Sequence, residues 1–422
     1  MIRLRARGPL TAGLALLATT TLLAACGGAD STAPAGSPSG SAAATTPTTD
    51  GTATSHPEPR IVVANPDRVE VRDAEDLSPI ASFDVATTPY VALGPDDRHV
   101  FTLEHQEKQV QIVDSGTWTD AHGDHGHSYV TEPSRLDLTL KGTSYHAVSG
   151  DGRTVVWNDD AGSFAVVTAE DLADGSVTPK VIELKDPHHG VAVPWSKGGY
   201  LASFSDDGEA AGIIALDPDG TETDRYEGCP HLHGETHLGE DAYAFGCADG
   251  IMVIDSSGAR KIAAPVDDAG TGHLVGDGES PVLAGTLSSE SRDDLATKIA
   301  LYDTAKGKSK VVDLGVEFSR LAAADGQAVV VGTDGNLHVV DLATGKVRTV
   351  KATKAWTKPK EFLDPRPQLA LVGDRAWVTD PMSKQIIVVD LTTGKKVTSA
   401  EVDGQPDQIV VANAGAEEHD HE

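Results

Sequence analysis

Four segments of this chain carry a histidine at the same point of a repeated strand. They read Ser144-Tyr145-His146-Ala147-Val148, Pro187-His188-His189-Gly190-Val191, Pro230-His231-Leu232-His233-Gly234 and Thr271-Gly272-His273-Leu274-Val275. Elsewhere the aligned position holds Tyr90, Arg320, Gln368 and Gln408. Neutral imidazoles aimed at one small volume are the ligand set that zinc favours, and three or four of them suffice. His146, His189, His233 and His273 are therefore candidate zinc ligands. Glu235 follows His233 by two residues, which on a strand returns it to the same face. It is a candidate oxygen ligand or a carboxylate that orients a ligand.

A second group is His122-Gly-Asp-His-Gly-His127, preceded by Asp120. Alternating His and Gly in a flexible loop can wrap one ion with His122, Asp124, His125 and His127. The terminal run Glu417-Glu-His-Asp-His-Glu422 is a third and weaker cluster. Two cysteines, Cys229 and Cys247, bracket the His231–His237 segment. In an exported protein they are expected to form a disulfide that braces it, with thiolate ligation of zinc as the alternative. No Gly-x-Ser-x-Gly elbow and no Gly-x-x-x-x-Gly-Lys nucleotide loop occur.

The elements that must position these residues repeat along the chain. One strand type recurs as Arg68–Asp73, Gln109–Asp114, Gly250–Asp255, Lys298–Asp303, Asn336–Asp341 and Gln385–Asp390, with weaker copies at Ser163–Thr168 and 212–217. The spacing of roughly 40–50 residues is that of a four-stranded propeller blade. Turns such as Asp341-Leu-Ala-Thr-Gly-Lys346 close the hairpin to the outermost strand, with Gly supplying positive φ. Two further strands precede each copy, so the order is inner, second, third ending in Asp, then outer. The expectation is an all-β chain forming a single β-propeller of eight four-stranded blades, or seven if one weak copy is a long loop. Arg60–Asn65 lacks an inner strand and Gln408–Asn413 has only that strand. Pairing of these N- and C-terminal strands closes the ring and removes the open edges. The aligned histidine column then lines the central channel.

The chain ends supply an address. Arg3, Arg5 and Arg7 precede a short apolar run, and Leu23-Ala24-Ala25-Cys26 follows. Residues 1–25 read as a signal peptide too short to span a membrane as a stable helix. The motif resembles a bacterial lipobox, which implies lipidation at Cys26. Residues 26–58 form the lipidated Cys and a Gly/Ser/Thr/Pro tether with too little apolar surface to fold. The propeller occupies 59–414 and a His/acidic tail 415–422. This predicts a protein exported and lipid-anchored to the outer face of the bacterial membrane, touching the membrane only through its anchor. The formal net charge of −30 becomes more negative once the three leader arginines leave. That charge makes nucleic acid a poor partner.

Taken together, His122–His127, His188-His-Gly-Val-Ala-Val-Pro194, Cys229-Pro-His-Leu-His-Gly-Glu235, Phe245-Gly-Cys-Ala-Asp-Gly250 and His273-Leu-Val-Gly276 resemble the AztD-type zinc metallochaperones, exported partners of zinc ABC importers. The repeats extend the likeness over residues 60–414. The resemblance implies a zinc-binding β-propeller that passes Zn2+ to the solute-binding protein of the importer, with roles for the His-Gly-Asp-His loop and the channel histidines. The lipobox and the His-Asp-His tail depart from that pattern and point to a tethered monomer. The competing reading is a metal-dependent propeller hydrolase or lactonase with Glu235 as general base. Lactonase-type hard-ion sites, however, favour carboxylates and amides over imidazoles. A plain scaffold propeller leaves the histidine column without a reason.

Overall fold

The computed structural model describes residues 51–122, 125–175, 177–195, 198–239, 241–267, 269–288, 295–361 and 364–414. Among them are eight four-stranded antiparallel sheets and one three-stranded sheet. A short helix, Ala169–Asp174, is capped by Thr168 through a reciprocal hydrogen bond with Asp171.

Each four-stranded sheet follows the order read from the repeats. The third strands, such as Gln385–Asp390 and Asn336–Asp341, bury four consecutive residues because neighbouring sheets cover both of their faces; all four are apolar in the first, and His338 is among them in the second. The fourth strands, such as Val347–Lys351 and Lys395–Glu401, are mostly exposed and carry lysine, which discourages pairing with other chains. The Asp-x-x-Thr-Gly-Lys turns form as expected. Asp341 Oδ1 accepts from the Thr344 amide and hydroxyl, both at 2.7 Å, and Gly345 takes φ +72°.

Strand Arg60–Ala64 pairs with the C-terminal strand Ile409–Ala412 in the register Arg60↔Ala412 to Val63↔Ile409. One sheet thus contains both ends of the repeat region, as the sequence predicts. Apolar clusters lie between consecutive sheets. One joins the Ala192–Pro194 sheet to the Glu235–His237 sheet through Val193, Leu201, Tyr243 and Phe245. Another joins the Leu369–Val372 sheet to the one holding both chain ends, through Trp377, Ile386, Ile61 and Val411. Trp377 Nε1 donates to the Ala74 carbonyl at 2.8 Å across that junction, so the buried indole is fully satisfied. The first strands of successive sheets lie beside one another: Tyr90–Leu93 next to Ala147–Gly150, that strand next to Ala192–Pro194, and Glu235–His237 next to Gly270–Val275.

Two expectations need correction. The tether does not reach residue 58: Thr52–Thr54 is a strand that pairs with Ser128–Val130. The His122–His127 segment is not an unstructured loop either. Thr117–His122 and His125–Val130 form a hairpin in which position 122 pairs with 125 and 120 with 127. Alternating Trp118, Tyr129 and small residues suit a strand, and Trp118 stacks on Tyr129 at 5.4 Å with the Arg98 guanidinium 3.8 Å above its ring. Arg60 ties the base of the arm by donating to the Ser115 and Thr131 carbonyls at 2.6 and 2.9 Å. Gly123, Asp124, Cys26 and the tail 415–422 lie outside the described residues.

Candidate metal centre

The histidine column falls at or near the start of the first strands. His146 immediately precedes Ala147–Gly150, His189 stands three residues before Ala192–Pro194, and His233 two before Glu235–His237. Three of the four rings come together. Ring centroids are 5.4 Å apart for His146 and His189, 5.7 Å for His189 and His233, and 6.1 Å for His146 and His233. Imidazoles sharing one tetrahedral zinc at a Zn–N distance of ~2.0–2.1 Å have centroids about 5 Å apart. The triangle is therefore slightly open. No group of three His, Cys, Asp or Glu among the described residues is closed tightly enough to hold an ion as it stands. Contraction by well under the width of a ring closes the gap.

Two of the rings already use one nitrogen. His189 Nδ1–H donates to Asp159 Oδ2 at 2.8 Å, and His146 Nδ1–H donates to Glu235 Oε1 at 3.4 Å. The Gly272 backbone lies close enough to the His233 ring to favour its protonated form slightly. For His146 and His189 the remaining nitrogen is Nε2. A carboxylate or carbonyl on one ring nitrogen fixes the tautomer and leaves the other as a lone pair, the arrangement found around metal-bound histidine. Glu235 Oε2 and Asp159 Oδ1 are buried without a hydrogen-bond partner among the described residues. Two incompletely satisfied carboxylates behind three imidazoles suit a divalent cation.

The electrostatics differ from ring to ring. Burial, then the neighbouring His146 and His189, pushes His233 down to about 4. Burial, then the Arg320 guanidinium, pushes His273 down to about 3. Both are neutral at physiological pH without a metal. Burial also pulls on His146, but the Glu235 charge and hydrogen bond outweigh it and leave its pKa raised. Burial likewise disfavours the Glu235 carboxylate, yet His146 holds it below its ordinary value.

His273 stands apart from the triangle. It shares with His233 the wall of a cavity of about 310 Å³ that also meets Tyr90, Arg320, Gln368 and Gln408. The aligned column is thus split into a histidine side and an arginine/amide side. Close backbone approach sets these positions. A Cβ on Gly234, whose φ is +84°, would lie 2.1 Å from the Gly272 carbonyl oxygen; one on Gly246 would lie 2.4 Å from Thr271 O and 2.5 Å from His233 O. The Cys229–Cys247 disulfide, with Cα atoms 4.9 Å apart, braces the His233–Glu235 segment. Thiolate ligation is therefore not the role of these cysteines. His127 at the hairpin is exposed.

Sequence reasoning missed Asp159, which orients His189 from the turn between two strands of the preceding sheet. It also missed Tyr145, which packs edge-on against His189 at 5.0 Å, and His105, 4.9 Å from Tyr145. None of these lies in the repeated column, so no periodic signal could have found them.

No family model matches the chain. It is 27% identical over 384 residues to the zinc chaperone AztD of Citrobacter koseri, covering 86% of this chain and 89% of that protein. The crystal structure of Citrobacter koseri AztD superposes with a TM-score of 0.77 at 25% identity, over 86% of this chain and all of that one. The apo form gives 0.74 at 25% identity, over 85% and 98% of the two chains. The dihydro-heme d1 dehydrogenase NirN shares the fold alone, with a TM-score of 0.57 at 15% identity over 84% of this chain and 75% of its own. The AztD relative is a chaperone rather than an enzyme, in agreement with the non-catalytic reading and against the hydrolase alternative. The likeness to AztD-type zinc metallochaperones, read first from the histidine segments, thus extends over most of the chain in both sequence and fold.

Proposed function

We propose that this protein is an exported zinc metallochaperone that carries Zn2+ between His146, His189 and His233 and passes it to the solute-binding protein of a zinc ABC importer. The observation that carries the reading is the triangle of imidazoles, 5.4–6.1 Å between centroids, two of them with one ring nitrogen engaged by a carboxylate. Three protein ligands leave a tetrahedral ion one open position. An open position is what cargo transfer needs, because an incoming ligand can bind before the old ones let go. His189 and His233 are exposed while His146 is half-buried, so the ion is expected to arrive and leave past the two exposed rings.

The eight sheets are read as blades of one propeller, closed where the strand Arg60–Ala64 takes Ile409–Ala412 as its inner partner. The apolar clusters between consecutive sheets, including the one joining the last sheet to the first, support that closure. The hairpin arm bearing His122, Asp124, His125 and His127 is read as a second, exchange-competent zinc site. His273 is read as a reserve ligand. Anchoring through lipid on Cys26 keeps the monomeric carrier near the membrane where an importer works.

The test is metal analysis and transfer by the exported chain and two triple variants. The unaltered protein is expected to retain zinc and to ignore calcium. H146A/H189A/H233A should abolish the tightest zinc binding. H122A/H125A/H127A should keep at least one zinc but slow its delivery to the solute-binding protein. A ring variant that retains all of its zinc, or a protein that binds calcium alone, overturns the proposal.

A further inference from the structure

The arginine side of the column presents a chemistry that zinc carriage does not explain. Arg320 belongs to strand Phe318–Ala324, and its residue is exposed to the cavity of about 310 Å³ that His233 and His273 also line. Its guanidinium makes no hydrogen bond or ion pair with a described residue, although it feels the field of Asp407 and Tyr90. Both Arg320 and His273 sit at register shifts of their strands, between Phe318 and Leu321 and between Thr271 and Leu274. Bulges of this kind re-aim side chains and concentrate at functional sites.

A free cation here is unexpected in a chain of net charge −30. It also opposes the cargo, since zinc beside His233 places a second positive charge near Arg320. The other charged groups on the walls do not resolve this. Arg366 lies against Asp407, a buried carboxylate that accepts from Gln368 and Gln408. Asp364 is exposed. An anion entering the cavity would meet Arg320 on one side and, of the triangle, the His233 ring on the other. A cavity near 300 Å³ is at the small end of those that hold small molecules.

We propose that this cavity is a binding subsite for a small carboxylate, held by Arg320 and placed to fill the coordination position that three imidazoles leave open on zinc. The planar guanidinium matches a carboxylate in a bidentate fork. The subsite rests on the reading of the triangle as a zinc site, and the carboxylate would act as a co-ligand that tightens the hold on the ion.

The probe is malonate, with the full chain purified free of metal. Zinc affinity is measured against a chromophoric competitor, with and without malonate, correcting for zinc bound by malonate in solution. Zinc alone should bind, and malonate should tighten it about tenfold, with zinc tightening malonate by the same factor because the coupling is reciprocal. R320Q should lose the malonate effect, while zinc alone binds it more tightly because a like charge is gone. A merely structural arginine would weaken both. Equal zinc affinity with and without malonate overturns the subsite, as does an R320Q protein that keeps the effect, or the same tightening by inorganic phosphate. Absence of zinc binding in the malonate-free titration would instead overturn the zinc reading itself. Malonate calorimetry on the metal-free chain then reads the subsite separately, and binding that R320Q does not weaken overturns it there as well.

Discussion

Replacing Glu235 by Gln isolates the charge behind His146 while keeping an oxygen that can accept the Nδ1 hydrogen bond. At 3.4 Å the His146–Glu235 pair has a gross attraction of about 5 kcal/mol at an effective dielectric of ~20. Burial of both groups takes back much of it, which is why the surviving effect is a raised His146 rather than a fully locked pair. Two consequences follow for zinc. The carboxylate strengthens His146 as a donor once the ion is bound, and losing such a partner costs about 10–100-fold in metal affinity. Its charge also favours the proton on His146, which zinc must displace. E235Q should therefore bind zinc about 10–100-fold more weakly at pH 7.5 and release fewer protons per ion. Competition titration reads the first quantity. Calorimetry in buffers of different ionisation enthalpy reads the second. The affinity gap should narrow towards pH 6, because the proton penalty falls on the unaltered protein. A variant with unchanged affinity and unchanged proton release would refute the role of this pair. A loss far above 100-fold would show that Glu235 touches the ion directly rather than acting through His146.

Zinc occupancy should fall as pH drops below 7, because protons bind the free ligands and not the zinc-bound ones. His233 and His273, held at about 4 and about 3, do not join that competition until far lower pH, so the logarithm of affinity should change by fewer than three units per pH unit between pH 5 and 7. A potentiometric or competition series against pH checks the slope. G246A should lower stability by about 1–3 kcal/mol and weaken zinc binding together, since its Cβ would collide with the His233 and Thr271 carbonyls; thermal melts with and without zinc read both. C229S/C247S should cost about 3 kcal/mol by freeing a loop closed over a separation of 18 residues, measured by denaturant unfolding.

The blades were legible because their third strands are buried on both faces, so Gln385–Asp390 and its counterparts must be short apolar runs ending in a turn residue. The histidine column was legible for a related reason: repeated sheets bring equivalent positions together, so an alignment of repeats stands in for proximity. The same logic fails for residues outside the repeat. Asp159 reaches His189 across thirty positions from a turn, and nothing in its neighbours marks it. The His122–His127 arm was misread because His-Gly alternation looks like a loop. Its strand character comes from partners upstream, where Thr52–Thr54 adds a third strand and Trp118 stacks on Tyr129. Arg320 lay in the aligned column all along, but its lack of a hydrogen-bonded counter-charge is visible only once the cavity is built.

The three imidazoles are unequal, and that inequality bears on how a carrier can be both tight and able to let go. The His146 side chain is 18% exposed and backed by a carboxylate that itself is 14% exposed. His233 leans on the Gly272 backbone, in a region where a Cβ on Gly234 or Gly246 would collide with the next strand. These two are set by packing and cannot move far without disturbing two sheets. The His189 side chain is 43% exposed and is oriented by one hydrogen bond to Asp159. Release from a three-coordinate pocket is fastest when one ligand swings away and an incoming donor takes its place before the others loosen. His189 is the ring free to swing: one hydrogen bond orients it, and the carboxylate that accepts that bond stays behind when the ring turns. On this reading the two fixed histidines set how tightly the ion is held, while His189 sets how quickly it leaves. A substitution at Asp159 should then weaken zinc binding, as at Glu235, and in addition speed its transfer.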